Sequence, residues 1–159
     1  MIEDVVRQIK TLLQNNIPGK LDTIEAEKGD GVVLDDIQVF FVERGHKDAG
    51  RKYPNITVSG LETSASNILS SRRELRHKVS VEVADRAVSV DTDLLQTRLW
   101  RYVEAVERVL GADTTLSGKV IDSAIVDHKY PEPFAHGDTF VKTARLTLTA
   151  LERPSVGGY

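Results

Sequence analysis

The chain has 159 residues, 40% hydrophobic and 28% charged, which suits one domain with a sizeable core. Its net charge of −3 offers no basic excess to nucleic acid or to an anionic membrane. It has no cysteine, which excludes disulfides, thiolate zinc sites and cysteine nucleophiles. Met1-Ile2-Glu3-Asp4 is acidic where a signal peptide needs positive charge, and no apolar run nears the roughly 20 residues that span a bilayer. The expected site of synthesis is the cytoplasm, with no membrane partner.

Taken in order, Ile2, Val5, Val6, Ile9, Leu12 and Leu13 recur at helical steps, with Glu3, Asp4, Arg7, Gln8 and Lys10 opposite. This predicts an amphipathic helix over Ile2–Leu13, stopped by Asn15-Asn16 and Pro18-Gly19. Lys20–Asp36 reads as a polar connector. Ile37–Glu43 is apolar on both faces, as in a central strand or a covered edge. Arg44–Tyr53 reads as loop, and Asn55–Leu61 as a short strand with Pro54 where a missing donor is tolerated. Between Gly60 and Leu75 the chain is rich in Ser, Thr, Asn and Arg without a clear period, which predicts a mobile excursion over about 60–74.

From Leu75 to Asp85 the pattern alternates: Leu75, His77, Val79, Val81 and Val83 against Arg76, Lys78, Ser80 and Glu82. That is a strand with one face on a core. Leu95, Leu99, Tyr102, Val103, Val106, Val109 and Leu110 then share a helical stripe, opened by Asp91, Thr92 or Asp93 and closed at Gly111. Ser117–Asp127 reads as a strand with Val120, Ala124 and Val126 on one face and Ile121 and Ile125 facing outward. Asp127–Asp138 reads as a long hairpin loop. In Thr139–Leu151, Ala144, Leu146, Leu148 and Ala150 alternate with Thr143, Arg145, Thr147 and Thr149. Residues 154–159 form a tail after a single 1–153 domain. The sum is an α+β fold: a mainly antiparallel sheet with two amphipathic helices on one face.

No constellation carries a recognisable chemistry. Asp127, His128, Glu132, His136 and Asp138 hold metal-ligand types, but their spacing matches neither HExxH nor a nuclease pattern. They give a rival reading as a small metal-dependent hydrolase. Arg44, His46, Lys47 and Arg51 make a polar loop without the glycine pattern of a phosphate cradle. Arg72, Arg73, Arg76, His77 and Lys78 form a basic cluster diluted by Glu74 and Glu82, suited to an outward face or to a neighbouring subunit. His77 is in phase with the apolar positions and reads as a satisfied, partly buried histidine. Trp100, beside the main stripe, reads as completing the core. No serine has a nucleophile-elbow context. A ligand-binding α+β module is a further rival, and needs an apolar pocket.

The elements Ile2–Leu13, Ile37–Glu43, Lys78–Val90, Asp91-Thr92-Asp93, Leu94–Leu110 and Val120–Leu151 occur in an order that resembles the tail terminator and tail-to-head joining proteins of long-tailed bacteriophages. The segment Leu99-Trp100-Arg101-Tyr102-Val103-Glu104-Ala105-Val106 is similar to their central helix. That resemblance implies a non-enzymatic virion protein without cofactor or metal, found in the tail or neck. It implies a homo-oligomeric ring, commonly a hexamer, with DNA passing through its lumen without specific binding. The tail tube protein and the head-tail connector proteins would be its partners; other neck components, head-completion or connector-stopper proteins, are the nearest alternative. Interface candidates on this reading are Ile37, Val39, Phe41, Arg72, Arg73, Ile121, Ile125, His128, Tyr130 and Phe134.

Overall fold

A computed structural model describes residues 1–43, 52–69, 72–87, 92–136 and 139–154. Its elements are α1 (Ile2–Lys28), β1 (Val39–Val42), β2 (Asn55–Leu69), β3 (Arg72–Ala87), α2 (Thr92–Ala112), β4 (Asp122–Lys129), β5 (Phe134–His136) and β6 (Thr139–Glu152). The sheet order is β1-β2-β3-β6-β4, with β5 paired to β6. Every pairing is antiparallel except β1 with β2. The fold is α+β.

Both helices lie on one face. Val5, Ile9, Leu13, Ile17, Leu21 and Ile24 of α1 join one buried cluster with Leu99, Tyr102, Val106 and Val109 of α2. The sheet side of that cluster is Ile56 and Val58 of β2, Val79, Val81 and Val83 of β3, and Ala144, Leu146, Leu148 and Ala150 of β6. Apart from Ile17, Leu21 and Ile24, which lie beyond the expected end of the first helix, these are side chains whose periodicity already placed them inside, and burial of each large one contributes about 1.5–3 kcal/mol.

The first helix runs further than its local signals suggest. It passes through Pro18 and Gly19 because Ile17, Leu21 and Ile24 extend the buried stripe, so packing outweighs a lost hydrogen bond. It ends at Gly29, whose φ of 58° lets its N–H donate to Glu25 O at 3.1 Å. The connector expected from Lys20 therefore begins nine residues later. Leu34 N–H donates to Glu25 Oε1 and Tyr102 Oη to Asp35 O, holding the connector against both helices. The second helix also passes the expected stop, since Gly111 is helical and the chain turns after Ala112. In that turn the Asp113 carboxylate accepts from Thr115 Oγ1, Ser117 N–H and Thr115 N–H. These bonds, Thr115 foremost, hold it below the usual carboxylate range.

The stretch expected as an excursion is strand. β2 and β3 stay in register from Asn55–Ala84 out to Leu69–Arg72, with irregularities at Gly60/Glu62 and Asn67/Leu69. Ser, Thr and Asn satisfy the ladder with their backbones, so a missing apolar period did not mean a missing strand. The predicted loop Asp127–Asp138 likewise holds the end of β4 and all of β5, with Phe134 opposite Val141. Residues 44–51 of the loop expected over Arg44–Tyr53, residues 137 and 138, and residues 155–159 of the expected tail 154–159 lie outside the described residues.

Candidate functional site: sheet edges and exposed apolar groups

The two ends of the sheet are unlike. At one end β1 covers only Asn55–Val58 of β2. It ends at Val42, and the next residue, Glu43, has a φ of 56°. Glu43 N–H still donates to Val58 O at 2.8 Å, and Glu43 Oε1 accepts from Gly60 N–H at 3.0 Å. Beyond Gly60, β2 has no strand on its outer side among the described residues, and residues 61–67 are exposed. A groove of about 420 Å³ opens there, with Ile2, Val6, Val42 and Leu61 along it and Glu43 and Glu62 beside it. Gly60 allows this close approach, since an added Cβ would lie 2.9 Å from Ile2 Cδ1.

At the other end β4 is the last strand, and a smaller groove of about 290 Å³ lies between it and α2, lined by Glu107, Leu110, Thr114 and Ile125. Ser123 and Ile125 stand opposite Ala150 and Leu148 on the helix side, so Ala124 and Val126, expected on the inner face, are exposed; the irregularity between Ile125 and Asp127 comes only after this phase is set. Ile125, expected to face outward, packs partly against the core.

The other interface candidates scatter. Phe41 is 38% exposed, on the sheet face away from the helices. Val39 shares that face and is half-buried, while Ile37 packs partly against the core. Arg73 is exposed on the hairpin arm, and the Arg72 side chain lies outside the described residues. Ile121 (45% exposed), Tyr130 (47%) and Phe134 (42%) lie at the start of β4, just after β4 and on β5. His128 points to α2 and meets Glu107 at 2.5 Å. Trp100 was expected inside but is 55% exposed, because the stripe is completed without it by Leu99, Tyr102 and Val103. Leu61, Val126 and Phe140 are exposed apolar groups that the sequence did not single out as interface.

Buried polar groups are held structurally. His77 is fully buried, with Nδ1 2.8 Å from Thr63 Oγ1 and Nε2 2.6 Å from Glu152 Oε2. The other oxygen of Glu152 accepts from the Met1 ammonium at 3.3 Å. Burial would raise the Glu152 pKa, but the His77 contact and the ammonium outweigh it and hold the carboxyl below its ordinary range. Asp85, buried on β3, accepts from Arg98 Nε at 3.0 Å and Nη2 at 2.7 Å. Burial pushes its pKa up, against the pull of Arg98. Asp30 pairs bidentately with Arg101 and titrates well below the usual range, chiefly through that bond. Among the described residues, no three His, Asp or Glu side chains converge as a metal site. His136 and Asp138, two of the proposed ligands, lie outside those whose side chains are described. No helix among them is long and apolar enough to cross a membrane.

No family model matches the chain, and no curated protein does. A structural match covers 89% of this chain and 95% of a chain titled "Virion of native gene transfer agent (GTA) particle", with a TM-score of 0.36 and 12% identity.

Proposed function

We propose that this chain is a structural virion protein that forms a ring at the head-proximal end of a phage tail, ending tube growth and joining the tail to the head connector. The observation that carries this reading is the sheet's pair of exposed ends, which face opposite sides of the subunit and differ from each other. Two unlike ends suit a head-to-tail contact, which closes into a ring when the rotation allows. Exposed Leu61 lies at one end, and Ile121 and Val126 at the other. Unpaired edges with apolar neighbours are surfaces that a lone chain leaves open to association. A stable contact covers about 800 Å² per partner. Two such patches would take less than a fifth of the 9054 Å² surface. The order of elements, which resembles the tail terminators, supports the same reading.

Sedimentation velocity and electron microscopy of the purified chain test it. The expected result is a closed ring, six copies on the resemblance, that caps isolated tail tubes. Attachment to DNA-filled heads but not to tubes would favour a head-completion or connector-stopper role. A chain that stays monomeric both alone and on tail tubes would overturn the ring.

A further inference from the structure

We infer that copies of this chain join edge to edge, the outer side of β2 at Glu62–Asn67 pairing with Asp122–Ile125 of β4 in the next copy. The inference rests on the ring reading and deepens it by naming the two surfaces that meet.

Strand direction is the first support. β3 is antiparallel to β2, β6 to β3, and β4 to β6, so β4 runs opposite to β2. Copies related by rotation about an axis along the strands would therefore set β4 against β2 as an antiparallel pair, the more stable ladder.

Level is the second. Across the sheet Ala124 aligns with Thr149, Lys78 and Glu62, and Asp122 aligns with Leu151, Arg76 and Ser64. The start of β4 thus stands at the height where β2 has emerged from beside β1, which ends level with Val58. Among the described residues, the open side of β2 on one end matches the height of the last strand on the other. Glu62, Ser64, Asp122 and Ala124 also share the sheet face away from the helices, so the faces would continue from copy to copy.

Chemistry is the third. Gln38 N–H to Pro54 O and Glu43 N–H to Val58 O show that even-numbered backbone groups of β2 face outward up to Gly60. The bulge between Gly60 and Glu62 shifts that alternation, so Thr63, Ala65 and Asn67 turn their backbone groups to the open side. Monomeric proteins protect such an edge with lysine or proline. Residues 61–67 hold neither, and Glu62 is their single charge.

A chain without cysteine makes the test direct. E62C/A124C and S64C/D122C are each oxidised, beside the four single variants. The expected result is a crosslinked ladder up to the full ring in one or both double variants, and none in the singles. Ala65→Pro, which removes an outward N–H and leaves the β3 side of the ladder, should weaken assembly at least tenfold while far-ultraviolet circular dichroism stays native. Rings that persist with no crosslink in either double variant, and with Ala65→Pro, would overturn the edge contact and leave the ring standing. Crosslinked dimers from S64C alone would show a two-fold pairing of β2 with β2, and overturn it as well. Loss of all association in the wild-type chain would overturn both.

Discussion

Two carboxylates of this protein, buried Asp85 and half-buried Glu152, respond to pH with opposite sign. Asp85 has a folded pKa above its unfolded value, so its contribution is greatest below the unfolded pKa and is lost as pH rises through the folded one. Arg98 offsets that cost at neutral pH by two hydrogen bonds. Arg98→Ala strands a buried charge and should lower stability by about 3 kcal/mol in urea titrations at neutral pH. The deficit should narrow on acidification, because protonated Asp85 needs no cation. Glu152 behaves oppositely: its depressed pKa makes a contribution that is present above the unfolded value and lost as pH falls through the folded one. Glu152→Gln should therefore flatten the acid limb of the stability profile below the ordinary glutamate range. An unchanged limb would show that the His77 contact contributes nothing measurable.

Among the elements, α1 carries the clearest conflict between local propensity and packing. Pro18 and Gly19 are poor interior helix residues, costing about 3 and about 1 kcal/mol relative to alanine. Their neighbours Ile17 and Leu21 are nonetheless fully buried, so the helix holds. An added Cβ on Gly19 meets nothing within 4 Å. Gly19→Ala should therefore stabilise by about 1 kcal/mol. Pro18→Ala should stabilise by about 2 kcal/mol, the helix penalty less the entropy that proline removes from the unfolded chain. Both gains would appear as higher urea midpoints with unchanged slope. Destabilisation by Pro18→Ala would mean that the proline shapes a bend which the packing requires. The β2–β3 arm shows the reverse case. No apolar stripe runs through residues 62–67, and the strand is carried by a ladder that begins in the core at Ile56 and Val58.

The molecule as a whole is one layer of sheet under one layer of helix, and a single cluster joins them. Leu148 sits near its middle, opposite Val79 on one side and Ile125 on the other. Leu148→Ala should cost about 2–5 kcal/mol. Helix and sheet signals should still melt together, since both layers share that core. Separate transitions would show that the layers hold independently. The sheet face away from the helices is built of small polar groups such as Thr57, Ser80 and Thr143, with the Glu82–Arg145 pair at 3.1 Å among them.

The amino-acid sequence by itself determined which side chains go inside: the stripe from Leu95 to Leu110, the alternation from Leu75 to Val83, and that of β6. These are periodic signals, set by the pitch of a helix and the pleat of a strand, and each is complete within one element. From them the α+β class followed. Tertiary structure decided what depends on partners far along the chain. It carried α1 through Pro18, drew the polar arm into strand, laid β1 parallel to β2, and set Ile125 rather than Ala124 on the helix side by pairing it with Leu148. It also left Trp100 outside a stripe already filled. The candidate site was least legible for the same reason. An edge is defined by the strand that does not lie beside it, and no local pattern in β2 or β4 records the length of β1.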